Sequence, residues 1–149
     1  MSISYTRMLQ FYQHFSRFYC RRFAPLLTRS GLSMREMNVL LFFANNPDYD
    51  TARDVTQYRG LSKSQVSQAV DLLCAQGLLD RRADPSDRRV IHLHLTKEAG
   101  PLTREAQAVQ AGCTARLLQG FSQEESDLFC AFLERVLDNG SALAKEANT

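Results

Sequence analysis

Four arginines, Arg81-Arg82 and Arg88-Arg89, lie in two pairs within DRRADPSDRRVIHLHLTKEAG (residues 80–100), on either side of a proline turn and among Asp80, Asp84 and Asp87. Guanidinium groups make strong charge-assisted hydrogen bonds to phosphate oxygens, so such a cluster suits a polyanion. The net charge of the chain is only +2, but it is unevenly distributed. From Phe121 onward six acidic residues stand against Arg135 and Lys145, which leaves +6 for the first 120 residues. Other chemistry is poorly provided for. His14, His92 and His94 lack a partner at a spacing suited to acid–base catalysis. His92 and His94, two residues apart, offer two metal ligands without a third. Cys20, Cys74, Cys113 and Cys130 lie far apart with no CxxC pair, so neither a zinc site nor a disulfide framework is indicated, and each is expected to be a small buried hydrophobe. No catalytic set, metal or cofactor is expected, and the chain reads as a non-enzyme.

The elements that must position the arginines are marked by helix caps and by hydrophobic period. Ser33 to Glu36, Ser62 to Gln65 and Ser122 to Glu125 are capping boxes, in which a serine oxygen accepts a backbone N–H that the first turn leaves unpaired; Thr51 to Asp54 is a weaker version. Helices are expected at about residues 33–45, 51–58, 62–76, 96–119 and 122–145, after a first helix over 4–29. In that first helix Met8, Phe11, Phe15 and Phe18 form one apolar stripe, and Tyr5, Tyr12 and Tyr19 recur every seven residues beside it. The combined face is wider than packing on one neighbour requires and suggests a partner chain; the alternative is an aromatic core helix within one subunit. Leu78–Ala83 and Arg89–Leu95 read as two strands, joined by the turn-forming Asp84-Pro85-Ser86-Asp87. In the second strand Ile91, Leu93 and Leu95 alternate with Val90, His92 and His94.

Residues 51–76 then have the layout of a helix-turn-helix, with Gly60 in the tight turn. Winding the second helix puts Val66, Ala69, Val70 and Leu73 on one face and Ser64, Ser67, Gln68 and Asp71 opposite. Serine and glutamine can bond base edges in a major groove, and Lys63 on the flank can reach phosphate. A plain solvated helix is the alternative. A hairpin directly after a helix-turn-helix makes a winged helix, whose tip can follow the DNA backbone or insert arginine into the minor groove. By strand alternation Arg88 shares the outward face with Val90, His92 and His94, and Arg89 the inward face with Ile91. Which of the two reaches the groove is open. The fold class is therefore mainly α with a small β-hairpin wing (α+β).

The stretch GLSKSQVSQAVDLLCAQGLLDRRADPSDRRVIHLHLTKEAG resembles the core of the MarR (multiple antibiotic resistance regulator) family, whose mark is Asp-x-Arg, five residues, then Leu-Thr. Asp87, Arg89, Leu95 and Thr96 fit that spacing. GLSMREMNVLLFFANNP before it and GFSQEESDLFCAFLERVLDN after it extend the likeness over roughly residues 30–140. The resemblance implies one MarR-type domain. Its N- and C-terminal helices, 1–30 and 96–149, would join two copies, and its winged helix-turn-helix lobe, 33–95 with the wing at about 78–95, would bind double-stranded DNA. It implies a homodimeric transcription regulator, more often a repressor, on a pseudo-palindromic operator. Ser62, Lys63, Ser64, Gln65, Ser67 and Gln68 would form the reading part of the recognition helix, and Arg81, Arg82, Asp87, Arg88 and Arg89 the wing, with Asp87 orienting Arg89. Many family members have arginine where this chain has Gln68, so base preference there is not carried over. The family's usual signal is a small molecule, for which Phe11, Phe15 and Tyr19 are candidate pocket residues or else dimer core. Some relatives sense peroxide through a cysteine of the first helix, which makes Cys20, beside Arg21-Arg22, a candidate redox sensor.

The remaining bounds agree. With 44% hydrophobic residues the chain can bury a core, its longest apolar runs fall short of a membrane span, and MSISYTRMLQ has no signal-peptide core, so a cytoplasmic protein is expected. The rival reading is a winged helix that binds an acidic protein partner instead of DNA.

Overall fold

The computed structural model describes residues 4–146. In chain order it contains α1 (Tyr5–Ser30), α2 (Met34–Asn45), α3 (Ala52–Arg59), α4 (Lys63–Ala75), β1 (Leu79–Ala83), β2 (Ile91–Leu95), α5 (Ala99–Leu117) and α6 (Gln123–Glu146). Two compact units divide the chain, one reaching Cys113 and the other beginning at Thr114. Among the described residues no helix is long and apolar enough to cross a membrane.

The caps start the helices as expected. Ser33 with Glu36, Thr51 with Asp54 and Ser62 with Gln65 each form both reciprocal bonds, and Ser122 and Glu125 do the same at 2.8 and 3.2 Å. The Thr51 box is reinforced by a 2.7 Å bond from its hydroxyl to Asp54. Ser4 caps α1, which the sequence reading did not single out. The fifth helix begins at Ala99, three residues later than expected, because Thr96 is occupied as a tie. Its N–H donates to the Leu78 carbonyl, its hydroxyl donates to the Gly77 carbonyl at 2.6 Å, and its Oγ1 accepts the Ala99 N–H.

In the first unit, α2 and α4 pack face to face around Met37, Val39, Leu40, Val66, Ala69 and Leu73, all essentially inaccessible. Phe23 and Leu26 of α1 and Ala99 and Ala106 of α5 close the same core. The buried face of α4 is the one its periodicity predicts, Val66, Ala69, Val70 and Leu73. Gly60, at φ +64°, makes the left-handed corner between α3 and α4 that a side chain would strain.

The hairpin pairs Leu79 with Leu95, Arg81 with Leu93, Arg82 with His92 and Ala83 with Ile91. On the tip side β1 ends at Ala83 as expected, whereas β2 begins at Ile91, two residues later than expected. Arg88 and Arg89 lie in a turn, and Val90 precedes β2. The expected alternation of the two arginines across the strand therefore does not apply, since neither belongs to the ladder. Within β2 only Leu93 is buried, whereas Ile91 remains exposed near the tip. The Leu93 N–H donates to the Asp50 carbonyl, which ties β2 to the segment leading into α3.

In the second unit no described side chain of α6 is buried. Leu128, Phe129, Phe132, Leu133, Val136 and Leu137 recur at helical spacing and are between 41% and 63% exposed. In α1, Tyr5, Met8, Leu9, Phe11 and Tyr12 are also exposed, Tyr5 at 82%. The expectation of four buried cysteines is corrected accordingly. Cys113 is buried and Cys74 half-buried, but Cys20 and Cys130 are exposed.

Candidate nucleic-acid interface

The expected reading residues all lie in the first two turns of α4 or at its cap, yet they are not equivalent. Ser62 Oγ accepts the Gln65 N–H at 3.2 Å, and Gln65 Oε1 accepts the Ser62 N–H at 3.0 Å, so both side chains are engaged in starting the helix. Ser64, Ser67 and Gln68 are exposed and have no side-chain partner among the described residues. They, with exposed Lys63, are the groups free to meet a ligand. Asp71, on the same helix, forms an ion pair with Arg81 of β1. Arg81 thus braces the wing against α4, a role that its clustering with Arg82 did not reveal.

Arg82, Arg88 and Arg89 are exposed, and among the described residues none of them has an ion-pair partner. Their backbone, in contrast, is held closely. Asp84 Oδ1 accepts the N–H groups of Ser86 and Asp87 at 2.7 and 2.9 Å, the Asp84 N–H donates to the Val90 carbonyl, and the Val90 N–H donates to the Asp87 carbonyl. The Asp87 carboxylate accepts the backbone N–H of Arg89 at 3.0 Å. That contact is with the main chain of Arg89, as in an Asx-type turn, and no ion pair between Asp87 and the Arg89 guanidinium occurs among the described residues.

His92, read from sequence as partnerless, has two partners. Its Nδ1 lies 2.9 Å from both carboxylate oxygens of Asp50, and its Nε2 lies 2.9 Å from Asp84 Oδ2. The hydrogen bond to Asp84 first, then that to Asp50, raises the His92 pKa above the ordinary 6.5 against a smaller opposing effect of desolvation. Asp84 is lowered from 3.8, mainly by His92 and then by the Asp87 and Ser86 amides. Asp50 is 42 residues from His92 in sequence. No local signal in the chain links them.

Between α3, α4 and the hairpin lies a cavity of about 690 Å³, lined by Arg53, Lys63 and Arg81 together with Val66, Val70 and Leu93. Phe11, Phe15 and Tyr19, the candidate pocket or dimer-core residues, belong to an aromatic ladder along α1: Phe11–Phe15, Phe15–Tyr19 and Tyr19–Phe23 have ring centroids 5.9, 6.0 and 4.7 Å apart. Phe11 is exposed, and Phe15 and Tyr19 are half-buried. Tyr19 Oη accepts from Gln110 Nε2 at 2.8 Å, and Gln110 in turn accepts from Asn45, which joins α1, α5 and α2. Burial raises the Tyr19 pKa, with the Gln110 bond opposing it. Cys20 is on the exposed side of α1, and no group of three or more metal-ligating residues occurs among those described.

A bundle of helices carrying a capped helix-turn-helix followed by a two-stranded wing recurs among solved structures. The MarR family model matches residues 30–90. CouR from Rhodococcus jostii, solved with p-coumaroyl-CoA bound, is 25% identical over 91% of this chain and 95% of its own, with a TM-score of 0.68. A MarR-family transcriptional regulator from Silicibacter pomeroyi is 24% identical over 91% and 89%, with a TM-score of 0.72. The transcriptional regulator PA3341 is 31% identical over 92% of this chain and 97% of its own, with a TM-score of 0.74. With that identity running nearly end to end, the winged fold and the Asp87, Arg89, Leu95, Thr96 signature have one common explanation: the chain belongs to the MarR family of transcription regulators.

Proposed function

We propose that the protein is a homodimeric, sequence-specific DNA-binding repressor released by a small-molecule or oxidant signal. The observation that carries the reading is the pairing of an unengaged polar surface on α4, Ser64, Ser67 and Gln68, with a wing tip whose Arg88 and Arg89 have a fixed backbone and unpaired guanidinium groups. The first can exchange hydrogen bonds with base edges, and the second meets phosphate or a narrow minor groove. Lys63 and Arg82 add phosphate contacts, and Arg81 sets the wing angle through Asp71.

Dimerisation is supported by the apolar stripes on α1 and α6, whose large side chains recur at helical spacing and are exposed, as on a face that a partner covers. In this reading α1, α5 and α6 join the two copies, and the lobe of residues 33–95 binds one half-site. An effector acts by preferring a lobe spacing that mismatches the operator, so its differential affinity for the two states sets the loss of DNA binding. Binding of p-coumaroyl-CoA by CouR makes an acyl-bearing or aromatic effector a reasonable class. The candidate contacts are Phe15 and Tyr19 with Gln110, and exposed Cys20 is the candidate for an oxidant.

Selecting bound fragments from the parent genome and footprinting the enriched site tests this directly. The expected result is one enriched motif, protected over two half-sites about one helical turn apart. Enrichment of no motif over input would overturn the reading and favour the protein-binding alternative.

A further inference from the structure

The Asp50–His92–Asp84 cluster joins three parts of the lobe: the segment leading into α3, the strand β2 and the first residue of the wing loop. Neutral imidazole carries a single ring N–H, so it can donate to one carboxylate while its other nitrogen faces the second as lone pair against lone pair. Only the imidazolium donates from both nitrogens. Both N···O distances are 2.9 Å, a geometry that suits the cation between two carboxylates. The same Asp84 carboxylate that receives His92 on one oxygen holds the Ser86 and Asp87 amides on the other, and Asp87 holds the Arg89 amide. A continuous chain of hydrogen bonds therefore runs from the entry of α3 through His92 to the arginine tip.

We propose that His92 is the positioning residue of the wing: as an imidazolium clasped between Asp50 and Asp84 it fixes the tip that presents Arg88 and Arg89, and its deprotonation loosens that tip.

The other charged groups around it leave this assignment intact. Across the ladder Arg82 pairs with His92 and opposes its charge, while His94 lies on the same strand with its ring centroid 6.5 Å away. On α3, Asp54 is committed to Thr51, and Arg53 lines the cavity with Ile91 and Leu93. On α2 the charged residues, Arg35 and Glu36, sit in the first turn, at the opposite end from the loop that carries Asp50. The two aspartates therefore dominate, in agreement with the raised His92 value. With a folded-state pKa raised above its unfolded value, His92 contributes stability that is complete below the ordinary 6.5 and is lost as pH rises through the folded value. Asp84, which is lowered, keeps its contribution above 3.8 and loses it as pH falls through its folded value. The clasp is closed between these limits.

The consequence for binding rests on the DNA-binding reading, so the test has an arm without DNA. In the free full-length protein, NMR should show the His92 ring titrating at a higher pH than in Asp84→Asn. Exchange protection of the Ser86 and Asp87 amides, normalised for intrinsic exchange, should fall as pH rises through that titration in the wild type and stay low throughout in His92→Gln. In the DNA arm, affinity for the selected duplex at constant ionic strength should fall by about two- to fivefold across the same range, as loss of a partly exposed ion-pair link predicts, and His92→Gln should remove that step. Equal His92 titration in wild type and Asp84→Asn, or wing protection that ignores pH, overturns the proposal. Failure to bind any duplex at any pH, with the NMR result as expected, instead overturns the DNA-binding reading alone.

Discussion

The double variant Arg88→Ala, Arg89→Ala should bind the selected duplex roughly 10- to 100-fold more weakly than the wild type at moderate salt, the loss typical of two arginines that face phosphate or a groove. The slope of log affinity against log salt should become shallower by roughly two. The physical case rests on what these residues do not do. Neither guanidinium has an ion-pair partner among the described residues, so removing them orphans no carboxylate and opens no cavity. The contact that does involve Arg89 is its backbone N–H to Asp87, which alanine retains. The thermal midpoint should therefore stay within a degree or so of the wild type, in keeping with the small cost of surface substitutions. Anisotropy titrations over a salt series check both quantities. The single variants then answer which arginine enters the groove: the one whose loss also relaxes sequence preference is the inserted one, and the one whose loss weakens all duplexes alike contacts phosphate.

The second large effect is on stability. Leu40→Ala should lower the free energy of unfolding by about 2–5 kcal/mol, measured by urea denaturation at matched protein concentration. Leu40 is fully buried in α2 and belongs to the core that lies beneath α4. Truncation forfeits the transfer energy of the removed carbons and leaves a cavity that tightly packed neighbours close only in part. Because α2 is part of the platform for α4, DNA affinity measured well below the melting range should change less than stability does. Such a separation would mark α2 as scaffold and the α4–wing surface as the site.

Much of this architecture was legible in the sequence because the signals are local. A serine or threonine with an acid or amide three residues on specifies a helix start by itself, and four such pairs, at Ser33, Thr51, Ser62 and Ser122, gave helix starts that hold to within a residue. The buried face of α4 followed from its period alone. What was not legible depends on distance or on competing partners. The Asp50–His92 contact spans 42 residues and carries no spacing rule. A carboxylate two residues before an arginine can serve either the guanidinium or the amide, and spacing alone does not show that in this turn Asp87 meets the amide. Arg81 looked like its neighbour Arg82, and only the packing of β1 against α4 separates them by supplying Asp71. Cysteine burial failed for a different reason. Composition predicts burial within a finished core, whereas Cys20 and Cys130 lie on helices that carry exposed large apolar side chains.

The most direct test of the account is the affinity of the full-length protein for its selected duplex and for a scrambled duplex of the same composition, each measured across a salt series. The prediction is a steep linear fall of log affinity with log salt for both, with the selected duplex bound at least about 10³-fold more tightly at physiological salt. Equal affinity for the two duplexes would contradict it.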